Sequence, residues 1–535
     1  MKKTLALLLV LLTVLSFFAA CKPADPVVPD KPVTNTDKPK DGGNEKEELE
    51  YCELTFFLMG EYPGDKDVVL EAVNEKMMAK LNCKLDVYQP TWTDWQAKLQ
   101  NELNAKSLDM IYTASWGNYV IYANSGAFLE LDDILPTAAP DLYAATLPQL
   151  DMMRVNGTIY AVPNLWPEYE CKGVMYRQDL CDKYDLPVPD SLDNIEAYLL
   201  GIKENEPSQP LVRFRPAEPN STVGNYIGMF DVFNIKYDWI SLGYGYWAHH
   251  SDPVKMVDYW YSQDFIDDCK LMKKWCDLGF WSRSTLNDEA LDKPLENKLV
   301  AINWSGQNPN KYCEAISLAA KVDPEMEIGY FAYGEVNGYN SIYPAHARQN
   351  ATAIAATCEY PERALQVVQY ILLDEEMHNL FHYGLEGVHY EVVDGIYNNL
   401  SDASPPPFKY EGFNSWNLRN GAFKLKDATG PILQSVFDRL DPIAAKNKFP
   451  RVNIESGFQE SYDGKGKYED YSAERNAVMS VMYEYLTPIQ AGLKSDVEGA
   501  IKEFLTKAEA AGLDICRKSY IEQWDAYIKE FGYDK

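Results

Sequence analysis

The chain has 535 residues, with 50 basic against 80 acidic side chains and a formal net charge of −30. That length exceeds what one hydrophobic core organises and suits two large lobes. The charge repels nucleic acid and anionic lipid, which argues against both as partners.

Lys2 and Lys3 precede an apolar run, residues 5–18, of signal-peptide length and too short to span a bilayer. The run ends Phe18-Ala19-Ala20-Cys21. Small residues before a cysteine resemble a bacterial lipobox, which predicts a signal peptide over 1–20 and a lipid on Cys21. Phe18 stands where leucine is usual, and plain Ala-x-Ala-like cleavage is the alternative. Residues 21–50 are rich in proline and charge and poor in large apolar side chains, so they read as a disordered tether. The folded part is expected to begin near Tyr51. Besides Cys21 there are nine cysteines with no Cys-x-x-Cys pair. An odd number leaves at least one free thiol, and Cys269 and Cys276 read as small core residues.

Residues 54–59, LTFFLM, form a continuous apolar run of the buried parallel-strand kind. A turn at 60–64 leads to a helix with Val69, Val73, Met77 and Leu81 on one face, then a strand at 85–88. Strand, helix, strand is the right-handed crossover of α/β folds, whose ligands bind beyond the carboxyl ends of the strands. That places Glu61 and Tyr62 at a cleft edge. A helix at 92–105 leads to a strand at 108–113, and then to Trp116 and Asn118. At 156–180, NGTIYAVPNLWPEYECKGVMYRQDL, a short strand is stopped by Pro163, an aromatic and acidic passage holds Trp166 and Glu168, and a second strand follows. This reads as the chain crossing from one lobe to another, with ligand-facing groups in the gap; an ordinary loop within one sheet is the alternative. Further on, Ser191 reads as the N-cap of a helix, a second helix covers 262–278, and a strand at 299–302 ends in Asn303 and Trp304. Pro361 opens another helix, and Gly512 separates two final ones, 496–511 and 515–531.

Several of these stretches resemble the extracellular solute-binding proteins of bacterial ABC importers, in particular a Gram-positive lipoprotein subgroup with its own C-terminal family region. The motif Asn156-Gly157-Thr158-Ile159-Tyr160-Ala161-Val162-Pro163, followed by Tyr176-Arg177-Gln178-Asp179-Leu180, carries the resemblance. So do Asp109 to Tyr112, ANSGAFLELDDIL at 123–135, Pro361-Glu362-Arg363-Ala364, and the run Tyr383 to Tyr390. Trp416-Asn417-Leu418-Arg419-Asn420 fits the subgroup's W-x-h-G-N only in part, with Arg419 where glycine is usual. The resemblance implies an α/β, two-lobed periplasmic-binding-protein-like clamshell of type II, each lobe a mixed sheet flanked by helices. The lobes would comprise 51–165 with 346–415, and 166–345 with 416–535. It also implies a monomer held at the extracellular face of the cell membrane that delivers its ligand to ABC permease subunits.

No phosphate loop, dinucleotide fingerprint, nucleophile elbow or His-Glu-x-x-His motif is present, and no cofactor or metal is expected. His378 and His382 stand i, i+4 on a helix and read as two solvated histidines, with a metal pair as the alternative. Aromatics make up 13% of the chain, including 12 Trp and 37 Tyr. A sugar ring offers an apolar face to an aromatic plate and hydroxyls to polar groups at the rim. Trp116 with Asn118, Trp166 with Glu168, and Asn303 with Trp304 are candidate ligand contacts, each with packing as the alternative. Glu61, Tyr62, Glu386 and His389 are further candidates. The expected function is capture of a carbohydrate, an oligosaccharide, without turnover. A cell-surface glycoside hydrolase with two facing carboxylates, or a peptide-binding protein of the same fold, are the alternatives.

Overall fold

The computed structural model describes residues 49–60, 64–169, 171–212, 228–287, 300–338, 342–400, 410, 412–413, 415–447, 453–464 and 467–535. Cys21, Glu61 and Tyr62 lie outside the described residues. Leu49–Lys535 forms one compact unit.

The first core is built on a five-stranded sheet in the order Cys83–Tyr88, Cys52–Phe57, Met110–Thr113, Ala351–Ile354, Ala161–Pro163. The first three strands are parallel, and Ala351–Ile354 runs antiparallel to both its neighbours. Leu54, Phe56 and Phe57 are all buried, as a strand covered on both faces requires. The helix Lys66–Leu81 crosses between the first two strands and buries Val69, Val73, Met77 and Leu81, the stripe that the i, i+4 spacing predicts. The helix Pro361–Leu373 starts on its proline and buries six apolar side chains against the same sheet.

A second sheet, Ile302–Gln307, Gly173–Arg177, Ile328–Ala332, is antiparallel and has its own cores on its two faces. Val174 and Tyr176 face a large core that includes the helices Leu192–Asn205 and Gln263–Asp277 and the final helices Val497–Ala510 and Leu513–Glu530. Met175, on the other face, packs with the helices Pro309–Val322 and Gly430–Ala444. The middle strand opens on Gly173, where a Cβ would lie 2.4 Å from the Phe331 carbonyl oxygen; only glycine lets the strands close there. Ser191 and Ser262 cap their helices by accepting from Asn194 N–H and Phe265 N–H, each at 3.2 Å. The strand expected at 299–302 instead runs Ile302–Gln307, so Asn303 and Trp304 lie inside it rather than at its end.

The chain passes between the two sheets three times, and the passages are hydrogen-bonded to one another. Leu165 N–H donates to the Arg419 carbonyl at 2.9 Å, and Gly421 N–H donates back to the Leu165 carbonyl at 3.0 Å. Asn164 N–H donates to Asn350, and Ala345 N–H to Glu168, at 3.2 and 2.8 Å. The stretch 164–168 is therefore a crossing, not a loop within one sheet. No disulfide joins any of the nine described cysteines, and eight are buried, Cys269 and Cys276 among them. No helix among the described residues is long and apolar enough to cross a membrane.

Candidate ligand-binding site

Four tryptophans gather at the carboxyl ends of the first sheet's strands. Trp116 follows Met110–Thr113, and its indole N–H donates to the Gln349 carbonyl at 2.9 Å. Trp92 follows Cys83–Tyr88. The helix expected from Trp92 begins only at Trp95, which leaves Trp92 on the connecting loop and 37% exposed. Its ring stands 6.1 Å from Trp116 and stacks on Trp416 at 5.6 Å and 29°. Trp166, on the first crossing, is reached through Arg419, whose guanidinium carbon lies 5.7 Å from the Trp416 ring and 5.3 Å from Trp166. Lys424 Nζ lies 5.3 Å from the same Trp166 ring. The result is a row, Trp116, Trp92, Trp416, Arg419, Trp166, Lys424, along the edge where open α/β sheets take ligands.

The stretch carrying Trp416 and Arg419 is held from below by two histidines. His378 Nε2 accepts from Asn420 N–H at 3.1 Å, and His382 Nε2 lies 3.0 Å from the Leu418 carbonyl. Their rings are 4.3 Å apart, and Ser415 Oγ is 3.3 Å from His382 Nδ1. The expectation of two solvated histidines is thus corrected: His378 is 1% exposed and both rings serve as struts for the loop. Burial pushes His378 down to about 4 and His382 well below its ordinary value; the Arg419 charge adds to both. At Arg419 the backbone is extended, φ −75° and ψ 139°, so glycine is not required where the family pattern has it.

This has a consequence for stability. His378 titrates near 6.5 when unfolded and about 4 when folded. Below pH 6.5 the unfolded chain binds the proton first, so stability falls as pH drops through that window, by up to about 3 kcal/mol for this residue. Urea midpoints of the parent and His378→Gln, compared at pH 7 and pH 4.5, should show a steeper acid loss in the parent. Equal losses would deny His378 this part.

On the opposite side, Trp116 and Asn118 share a cavity of about 220 Å³ with Glu455, Glu460, Arg475 and Tyr520 from the second half of the chain. Asn118, at φ 66°, tolerates the left-handed turn that opens the short helix Tyr119–Asn124. Gln459 spans the gap: its Nε2 donates to Asn118 Oδ1 at 3.1 Å, and its Oε1 accepts from Val120 N–H at 2.8 Å. Glu460 Oε1 accepts from the hydroxyls of Tyr244 and Tyr471 at 2.8 and 2.6 Å, and Arg475 Nε lies 3.5 Å from Oε2. Burial raises the pKa of Glu460 and of Glu455, with Arg475 and Lys172 respectively opposing.

The structure brings Trp116, Asn118, Trp166 and Glu168 to this edge; Glu168 Oε1 accepts from Asn310 at 3.0 Å across the crossing. Trp304 is placed elsewhere. It is 1% exposed, and its ring packs 6.0 Å from Trp275 in the large core. Asn303 is equally buried within the same strand. Glu386 is exposed in the turn before the hairpin Tyr390–Val393/Ile396–Asn399. His389 is buried there, with Nε2 3.5 Å from Asp65. Trp92, Trp416 and Arg419 were not singled out as ligand contacts. Trp92 reads as the start of a helix and Trp416 as part of a loop motif, so nothing in the pattern marks either as a ligand contact.

An α/β architecture of several sheets, joined by three passes around an aromatic edge, is the fold of the type II solute-binding proteins. Residues 467–529 match the family model described as Domain of unknown function (DUF3502). The chain is 21% identical over 490 residues to a protein of Streptococcus pneumoniae named carbohydrate ABC transporter substrate-binding protein, covering 89% of this chain and 91% of that one. Among solved structures, the N-glycan transport solute binding protein NgtS of S. pneumoniae superposes with a TM-score of 0.67 at 18% identity, over 89% of this chain and 99% of that one. A solute-binding protein of Bifidobacterium longum infantis, described as binding HMO, gives 0.61 at 13% identity, over 89% and 99%.

Proposed function

We propose that the protein captures a carbohydrate, an oligosaccharide, at the Trp116–Trp166 edge by closing one lobe on the other, and delivers it to an ABC permease. The row of indole rings carries this reading, because several plates in line suit successive sugar rings. The match to a carbohydrate-named relative over nine-tenths of the chain supports it. The lobes are 51–165 with 346–415 and 166–345 with 416–535, turning about the hydrogen-bonded passages; ligand contacts to both favour the closed form. The protein works by binding as a monomer, without turnover, on the extracellular face of the membrane through a lipid on Cys21.

A thermal-unfolding screen of the chain from Lys22 on tests the substrate class, with mono- and oligosaccharides, amino acids and peptides as probes. A specific ligand at 100 times its Kd adds about 2.7 kcal/mol of stability. Stabilisation by oligosaccharides is expected. Stabilisation by peptides with none by any carbohydrate would overturn the reading.

A further inference from the structure

Resting on that reading, we propose that Arg419 and Lys424 form a subsite for a carboxylate carried on the sugar, so that the preferred ligand is an acidic oligosaccharide.

The argument starts from the protein's charge. Acidic side chains outnumber basic ones 80 to 50. Yet two cations flank the Trp166 ring, each 5.3 Å from its centroid. Among the described residues, no hydrogen bond or ion pair engages the Arg419 guanidinium or the Lys424 ammonium. Two other buried arginines show the contrast. Arg517 takes two oxygens of Asp258 and the Tyr244 carbonyl, and Arg177 pairs with Asp179 through Nε and Nη2. A half-buried guanidinium between two indoles, with five N–H groups uncommitted, is costly unless something supplies acceptors.

Carboxylates near Arg419 do not do so. Glu168 and Glu314 act on it through space, but Glu168 Oε1 is committed to Asn310, and Glu314 Oε2 to Lys311. The indoles and the carbonyl bond to Leu165 hold the arginine in place, which limits the entropy lost when it binds. A planar fork matches a carboxylate through two parallel N–H···O bonds, and a sugar ring bearing that carboxylate would lie on Trp166 or Trp416. Lys424 adds a second positive point beside Trp166 and offsets the repulsion that a protein of this charge exerts on an anion.

The chemistry is shared by uronates and sialates, and two probe pairs separate them. Isothermal titration of the chain from Lys22 on would compare a galacturonate pentamer with its methyl ester, and 3′-sialyllactose with lactose. The acid of one pair is expected to bind at least roughly tenfold more tightly than its neutral partner, with the difference shrinking at 0.5 M salt. Arg419→Gln should bring the ratio close to one; because it is a ratio, a general loss of folded protein cancels. Should that variant not fold, Lys424→Gln is expected to narrow the same ratio. Equal binding of acid and neutral forms by the parent would overturn the subsite and leave the carbohydrate reading standing. So would an acid preference that survives both substitutions. Binding of no saccharide of either kind would overturn both.

Discussion

Replacing Glu460 with alanine is expected to destabilise the protein by about 3–5 kcal/mol, the largest effect of any single polar substitution at the cleft. Its carboxylate is 7% exposed and accepts from two tyrosine hydroxyls, with Arg475 beside its second oxygen. Alanine would leave the Tyr244 hydroxyl without its acceptor and Arg475 without its counter-charge. Glu460→Gln keeps one acceptor and the volume, so it should cost about 1–2 kcal/mol. Urea unfolding at pH 7 separates them: a lower midpoint at an unchanged slope is a stability change. A midpoint for Glu460→Ala within experimental error of the parent would show that the Tyr244–Glu460–Tyr471 network contributes nothing.

The second large effect concerns binding. Trp416→Ala should weaken a stabilising oligosaccharide by roughly 30-fold, about 2 kcal/mol, because it removes a central plate and loosens both Trp92 and Arg419. Trp304→Ala makes the contrast. That ring sits in the large core, so its loss should cost about 3–5 kcal/mol of folding stability and leave the affinity of the remaining folded protein near its parent value. Titration calorimetry alongside thermal unfolding reads both quantities. If the Trp416 variant bound as the parent does, the row would be packing and not a ligand platform.

Much of this was readable in the chain itself. The helix over Val69, Val73, Met77 and Leu81, the helix opening on Pro361 and the Ser191 cap follow from spacing and end chemistry, which are local. The crossing at 164–168 was readable only as one of two options, because Pro163 marks where its strand ends but not where the chain goes next. Trp92 and Trp416 were not readable as a pair. They are separated by most of the chain, and nothing local says that two loop tryptophans will stack. Trp304 misled for a different reason. A strand covered on both faces has no exposed side for alternation to mark, so a polar–aromatic pair inside it looks the same as one at a cleft edge. His378 and His382 misled because a polar pair on an amphipathic helix reads as solvent-facing until a later loop is laid over it.

The three hydrogen-bonded passages have a bearing on proteolysis. A bead-on-a-string protein falls apart when its one linker is cut. Here a protease that nicks the backbone at any one passage leaves two covalent threads and their mutual bonds in place. The nicked molecule should still migrate as a single species in gel filtration, and part into fragments only once denatured.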